Sequence, residues 1–312
     1  MTTDLIPLRV AARRDVAANV VELRLIGADG SALPSWEPGA HIDLVLPGGV
    51  ERQYSLCGPR GSDAWAVAVL REPAGRGGSA YVHDELVVGA AVAARMPRHH
   101  FTFDPERPAL FVAGGIGITP LLSMMAAAEA ADVDWSLAYA GRSREAMAYL
   151  SRLEREYGAR VAAYPATERR LDLPQVLAEA RGANRVVYCC GPARLIEDVE
   201  RLSADAPAGS VRFERFEPKA TEPHPEVAFE IEAGGQVLTV PPDRSILEVC
   251  EDAGMLVLSS CREGTCGTCE TPLLEGNADH RDSVLTPAEQ AEDRSLMICV
   301  SRALSPRLVL DL

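Results

Sequence analysis

The chain has 312 residues, 47 % of them apolar, enough for about two domains, or three small ones, each with its own core. Lys and Arg number 31 against 45 Asp and Glu, and the net charge of −14 argues against nucleic-acid binding through a basic face. No uncharged apolar run reaches the ~18 residues of a membrane span, and MTTDLIPLRV lacks the pattern of a secretory signal, so a cytoplasmic protein with reduced thiols is expected.

Residues 1–104 read as short strands of period two: VVELRLIG, HIDLVLPGG, RQYSLCG and AWAVAVL, separated by Gly, Pro, Asp and Ser turns. They predict an antiparallel β-barrel, interrupted by one helix near Ser79 with that serine as its N-cap. Residues 105–216 change to alternating strands and helices, with apolar strands such as ALFVAGG, WSLAYAG and RVVYCCG and one continuous helix over REAMAYLSRLEREYG. That alternation predicts a doubly wound parallel α/β domain. EPKATEPHPE, residues 217–226, reads as a linker. Residues 227–312 hold a hairpin around Ala233–Gly235, a helix from Ser245 to Ala253, a cysteine loop, and strands near Leu296 and Leu308. From Glu226 onward sixteen acids face six arginines and no lysine, a charge of −10 that suits either docking of a basic protein or plain solubility.

Cys261, Cys266, Cys269 and Cys299 are separated by four, two and twenty-nine residues, the ligand spacing of a plant-type [2Fe-2S] cluster. Gly264, Thr265, Gly267 and Thr268 fill the loop with small residues that let backbone amides turn toward the sulfurs. Zinc is the rival, but Cys299 has no near Cys or His mate to form a second knuckle.

Two further regions carry cofactor chemistry. Strand alternation puts Arg52, Tyr54 and Leu56 on one face and Ser55 on the other, offering a flavin a cation for phosphate, an aromatic cover and a hydroxyl for N5. Arg76, Gly77, Gly78 and Ser79 add an anion site at a helix start, although glycines there also suit a simple turn. Strand ALFVAGG ends in Gly115, Gly117, Thr119 and Pro120, and a second strand ends in Cys190, Gly191 and Pro192, two glycine-bearing edges suited to a dinucleotide. Pro120 stands where the Rossmann fingerprint has glycine, so by itself that match is incomplete.

Seven segments in order, RQYSLCGP, GRGGS, AGGIGITPLLSM, YCCGP, SILEVCEDAG, SSCREGTCGTCET and GNADHRD, make the chain resemble the phthalate dioxygenase reductase family, a branch of the ferredoxin reductase superfamily. The resemblance spans nearly the whole chain, and Pro120 belongs to the superfamily's own pattern. It implies an FMN-binding barrel, a nucleotide-binding domain and a C-terminal β-grasp ferredoxin. It also implies FMN rather than FAD, NADH rather than NADPH, a monomer, and a Rieske-type aromatic oxygenase or demethylase as electron acceptor. Arg52, Tyr54, Ser55 and Arg76 to Ser79 map onto the flavin site. Gly115, Gly117, Thr119, Pro120, Cys190, Gly191 and Pro192 map onto the nicotinamide nucleotide site, with Ser55 and Cys190 closest to the chemistry. Phe216, expected at the end of the last strand of the nucleotide domain, is a candidate ring near the isoalloxazine. Arg142, Ser143 and Arg144 form a basic turn suited to a 2′-phosphate. The same modules also fit a cytochrome P450 acceptor, or a flavin and iron-sulfur redox sensor.

Overall fold

The structure is a computed structural model that describes residues 5–219 and 226–312; Ala220 to Pro225 of the expected linker lie outside the described residues. The chain divides into two compact units, Met1–Glu214 and Arg215–Leu312.

The first unit begins with β1 (Ile6–Ala17), β2 (Val20–Gly27), β3 (His41–Leu46), β4 (Val50–Ser55), β5 (Trp65–Leu70), α1 (Gly78–Asp84) and β6 (Ala91–Ala94). The strands are ordered β4-β3-β6-β1-β2-β5, and a bridge between Leu56 and Val67 joins the two ends. Closure leaves no long unpaired edge for another chain to pair with. Alternate residues fill the interior, among them Leu8, Leu23, Leu25, Ile42, Leu44, Leu56 and Val67. Helix α1 is too short to persist by itself. Arg13 holds it from β1, donating to the carbonyls of Val82 (3.2 Å), His83 (2.7 Å) and Leu86 (3.2 Å), acceptors that a helix end leaves open. The helix starts earlier than expected. Gly77, at φ 81°, is its N-cap, and the Ser79 hydroxyl turns back to accept from the Glu72 amide at 3.0 Å instead of capping the helix.

The parallel part follows as β7 (Ala109–Gly114), α2 (Ile118–Ala130), β8 (Trp135–Gly141), α3 (Leu150–Tyr157), β9 (Val161–Pro165), α4 (Leu173–Gly182), β10 (Val186–Cys190), α5 (Ala193–Leu202) and β11 (Val211–Glu214). Sheet order is β11-β10-β7-β8-β9, every pairing parallel. The chain winds outward from β7 to β9, then returns to β10 on the other side of β7. The switch point therefore lies between the carboxyl ends of β7 and β10, where open α/β sheets bind ligands. Both faces are buried. Leu110, Val112, Val187 and Cys189 pack on one side, and Phe111, Tyr139, Tyr188 and Cys190 on the other. The second layer also contains Val20, Cys57, Ala66 and Ala68, so barrel and sheet share a core.

The single helix expected over Arg144 to Gly158 is broken. Residues Arg144–Ala146 make one 3₁₀ turn, Tyr149 takes the left-handed backbone (φ 63°), and α3 starts at Leu150. Met147, Ala148 and Tyr149 are buried, and the break sends Tyr149 across to the barrel. Its hydroxyl donates to Glu22 Oε2 at 2.8 Å, and Arg14 grips the same carboxylate through two bonds of 2.8 and 2.9 Å. Cys57 Sγ lies 3.7 Å from that hydroxyl, and burial pushes its thiol up to about 12.

The second unit contains β12 (Phe229–Ala233), β13 (Gln236–Val240), α6 (Ile246–Asp252), β14 (Glu270–Glu275), β15 (Ala278–Asp279), α7 (Pro287–Glu292), β16 (Ser295–Met297), β17 (Arg302–Ala303) and β18 (Arg307–Leu310). Its main sheet runs β13-β12-β18-β14-β16, with β12 and β18 parallel, a β-grasp arrangement under α6. A reciprocal capping box of Ser245 and Glu248 starts α6 where the sequence reading places it. Arg302, 6 % exposed, donates to the carbonyls of Arg244 (2.8 Å), Val227 (3.0 Å) and Pro241 (3.0 Å), pairs with Glu226 and covers Phe229. Lys219, on the other side of the undescribed segment, donates its amide to Ser283 at 2.8 Å. No helix among the described residues is long and apolar enough to cross a membrane.

The Tyr149 hydroxyl is a buried side-chain link between barrel and sheet, beside the bonds from Gly39 N to Ser123 Oγ (3.0 Å) and from Ala18 N to Glu145 O (2.7 Å). Tyr149→Phe should lower the stability of the first unit by about 1–2 kcal/mol. Urea denaturation followed by tryptophan fluorescence measures this, and an unchanged midpoint would show that the bond contributes nothing.

Candidate electron-transfer sites

Arg52 lies on β4 with its guanidinium donating to Glu51 O (2.7 Å) and Arg76 O (3.1 Å). Gly78 is so close that a Cβ there would fall 2.6 Å from Arg52 Cγ. The fold thus brings Arg52, Arg76, Gly77 and Gly78 together, as a phosphate site requires, while Ser79 is committed to Glu72. Tyr54 packs against the barrel core, and burial raises its phenol to about 12, so it stays neutral. Ser55 points to the opposite face beside His41 and is buried, and its Oγ has no partner among the described residues. Leaving a buried hydroxyl unpaired is costly. A flavin atom that accepts its proton would satisfy it, so the residues fit the flavin the family implies. Gln53 Nε2 on the same face is also buried without a partner among the described residues.

At the switch point, Gly115 and Gly117 form a 3₁₀ turn between β7 and α2, and Thr119 Oγ1 donates to Ile116 O at 3.0 Å to close it. A Cβ on Gly117 would fall 2.3 Å from Cys190 O and 2.6 Å from Gly191 N. Only glycine permits this approach, which sets the two loops edge to edge. Pro120 is buried in the first turn of α2, and Pro192 is the N-cap of α5. Cys189 and Cys190 are both fully buried but on opposite faces; Cys190 faces the layer shared with the barrel. Burial, then the neighbouring Glu214 and Cys189, raises its thiol well above the ordinary range. It therefore offers a neutral, polarizable surface and no nucleophile.

Glu214 escaped the sequence reading. It lies at the end of β11, directly across from Cys190 in parallel register, with Oε2 sealed and without a partner among the described residues. Burial pushes its carboxyl up to about 8. The only hint in the sequence is a lone acid at the end of the short strand VRFE. Phe216 lies two residues past β11, in the second unit, and its ring is 44 % exposed, so it is not a core phenylalanine.

The four loop cysteines are linked pairwise. Cys261 engages the thiols of Cys266 and Cys299, and Cys299 engages Cys269. Among the described residues no three His, Cys, Asp or Glu side chains are gathered as a ready-made site for one ion. Cys261 Sγ accepts from the amides of Glu263 (3.3 Å) and Thr265 (3.4 Å), and Cys266 Sγ accepts from the Thr268 amide (3.4 Å) and shares a hydrogen bond with its hydroxyl (2.9 Å). Bonds from Cys266 and Cys299 hold the Cys261 thiol below its usual range. Sulfur ringed by amide donors is what a thiolate-held, negatively charged cluster needs, so the residues fit a [2Fe-2S] group. Gly264 has φ +69°, and a Cβ there would meet Val300 Cγ2 at 2.7 Å and Asp282 Cα at 3.1 Å. Asp282, fully buried, holds that side of the loop by accepting from the amides of Val284 (2.9 Å) and Leu285 (2.7 Å), while Ser283 N donates to Gly264 O at 2.8 Å. This gives the GNADHRD segment a structural purpose: it positions the cysteine loop.

Glu214 yields a pH test. Its carboxyl ionises near 4.5 in the unfolded chain and near 8 in the folded one, so its protonated form favours folding below pH 4.5, and this contribution is lost as pH rises through 8. The stability of the protein relative to Glu214→Gln should fall over that window, measured by urea denaturation at stepped pH. A difference independent of pH would contradict the buried, unpaired carboxyl.

Comparison with known proteins agrees with this geometry. The family described as 2Fe-2S iron-sulfur cluster binding domain matches residues 229–304. The putative toluene-4-sulfonate monooxygenase system reductase subunit of Comamonas testosteroni is 42 % identical over 318 aligned positions, covering 98 % of this chain and 99 % of that protein. The solved phthalate dioxygenase reductase, described as a modular structure for electron transfer from pyridine nucleotides to [2Fe-2S], is 36 % identical with a TM-score of 0.70, covering 99 % of this chain and 98 % of its own. An intact type IV self-sufficient cytochrome P450 monooxygenase gives a TM-score of 0.91 at 39 % identity over 99 % of this chain, which spans only 41 % of that structure's length. With its barrel, its parallel sheet and its cluster-binding unit, the chain belongs to the phthalate dioxygenase reductase family of flavin and iron-sulfur oxidoreductases.

Proposed function

We propose that the chain is the reductase component of a Rieske-type aromatic oxygenase or demethylase system, taking electrons from NADH through FMN to a [2Fe-2S] cluster on Cys261, Cys266, Cys269 and Cys299, and on to the oxygenase. The observation that carries this reading is the chain of four linked thiols, with backbone amides donating to Cys261 and Cys266, in a protein whose other unit joins a barrel to a glycine-edged parallel sheet. A bound flavin supplies the conversion between two-electron nicotinamide chemistry and the single-electron chemistry of the cluster.

The protein's own part is positional. Arg52 with the Arg76–Gly78 turn receives the flavin phosphate, Tyr54 covers the ring, and the Ser55 hydroxyl donates to it. The edge made by Gly115, Gly117, Thr119, Pro120, Gly191 and Pro192 receives the nucleotide, and the neutral thiol of Cys190 keeps water from the nicotinamide side. FMN, in preference to FAD, is checked by identifying the flavin released on denaturation. The reading includes a cytoplasmic monomer.

A cytochrome P450 acceptor is the second reading, favoured by the likeness to the reductase portion of a self-sufficient P450 structure. Rapid mixing with NADH separates enzyme from sensor: flavin bleaching followed by cluster reduction supports the relay. No turnover with any acceptor supports the sensor. Since the segment from Glu226 to Leu312 carries −10, reduction of the oxygenase should slow several-fold as ionic strength rises past about 0.1 M, where screening acts within ~10 Å. NADH oxidation by a small neutral acceptor should not slow, and equal salt sensitivity of the two rates would remove acidic docking from the proposal.

A further inference from the structure

Arg144 sits in the turn that follows β8, the strand next to β7. In open α/β sheets that bind dinucleotides, this is where the adenosine ribose is read: an acid there bonds the ribose hydroxyls, and an arginine nearby accepts a 2′-phosphate. The end of β8 carries no acid; Gly141 is followed by Arg142, Ser143 and Arg144. By residue type alone the turn suits NADPH.

Charge pairing reverses that expectation. Arg144 Nη1 donates to both oxygens of Glu154, at 2.9 and 3.0 Å, and its Nε donates to Glu168 Oε1 at 3.2 Å. Glu154 comes from α3, and Glu168 from the turn after β9, so two separate elements converge on one guanidinium. Arg142 is exposed and has no hydrogen bond or ion pair among the described residues.

We propose that Glu154 and Glu168 form a carboxylate clamp that withholds Arg144 from a 2′-phosphate and thereby sets the preference of this reductase for NADH over NADPH. This rests on the reading of the switch point as the nucleotide site. A phosphate monoester brings roughly two negative charges at pH 7. With Nη1 on Glu154 and Nε on Glu168, Arg144 offers such a phosphate only Nη2, and the two adjoining carboxylates oppose its charge. The ribose diol of NADH is neutral and meets no such opposition. The clamp is half-exposed, and pairs of this kind are individually weak. The discrimination is therefore modest and easily moved, with Arg142 already supplying one uncommitted cation.

The test uses the holoenzyme and the Glu154→Gln/Glu168→Gln double variant. The ratio of kcat/KM for NADPH to that for NADH should rise about tenfold, in line with a gain of about 1.4 kcal/mol. In parallel, 2′,5′-ADP should bind about tenfold tighter by calorimetry, with a steeper salt dependence, while 5′-AMP serves as the reference. Adding Arg144→Ala to the double variant should abolish both gains. A wild-type enzyme that prefers NADPH overturns the NADH reading and the clamp with it. A wild-type preference for NADH with an unmoved ratio in the double variant, or gains that survive Arg144→Ala, overturns the clamp alone.

Discussion

A tyrosine hydroxyl from the nucleotide half of the first unit reaches a buried carboxylate on the barrel half, and much of the chemistry depends on that contact. Tyr149 donates to Glu22, which a two-pronged Arg14 holds in place, and Cys57 lies against the same hydroxyl. Around this polar point, barrel residues Val20, Ala66 and Ala68 pack in one layer with Phe111, Ile118 and Tyr139. Apolar contact alone would let two such faces slide, because dispersion and burial have little direction. A hydrogen bond between two buried groups fixes register, since shifting it leaves both unsatisfied. Transfer between a nicotinamide on the sheet edge and a flavin on the barrel demands a fixed approach of the two carriers. Breaking the helix at Tyr149 lets the chain fix barrel against sheet, the two parts on which the proposed flavin and nucleotide sites lie.

The second unit meets a different constraint with similar means. Four thiols must be presented to a negatively charged group, and no lysine exists from Glu226 to the end of the chain. Compensation comes from backbone amides at Glu263, Thr265 and Thr268. Amides point correctly only if the loop backbone does. This explains why Gly264 fits between Val300 and Asp282 with no room for a Cβ, and why Asp282 is buried to hold the adjoining turn.

How much of this was legible in the sequence depends on the range of each interaction. The Ser245–Glu248 capping box, the cysteine spacing, the strand alternation and the two glycine-bearing strand ends are local patterns, and each appears where the residues indicate. The helix start at Gly77 was misread because Ser79 is a good N-cap by type, and only the fold reveals that its hydroxyl serves Glu72. The REAMAYL segment has helical periodicity, but tertiary burial of Met147 to Tyr149 overrides it. Glu214 was invisible because its significance lies in register with Cys190, twenty-four positions earlier in the chain. Arg302 looks like a surface cation by composition, yet it closes three backbone carbonyls at the start of its unit.

Charge ties the two units to one logic. A segment of net charge −10 that also binds an anionic cluster works against itself electrostatically, since each exposed acid disfavours adding an electron nearby. Solubility alone does not require that arrangement, because lysines interspersed with the acids would serve equally well. A cluster-binding segment of such net charge makes physical sense if a basic partner neutralises it on docking. The charge that hinders reduction in the free protein then becomes the charge that steers the encounter. In the first unit the acids of the proposed clamp act in the opposite sense: by holding Arg144, Glu154 and Glu168 favour one nucleotide over another. On these two proposals, excess carboxylate selects what enters at the sheet and what is met at the cluster, while Arg52, the Ser55 hydroxyl and backbone amides hold the carriers.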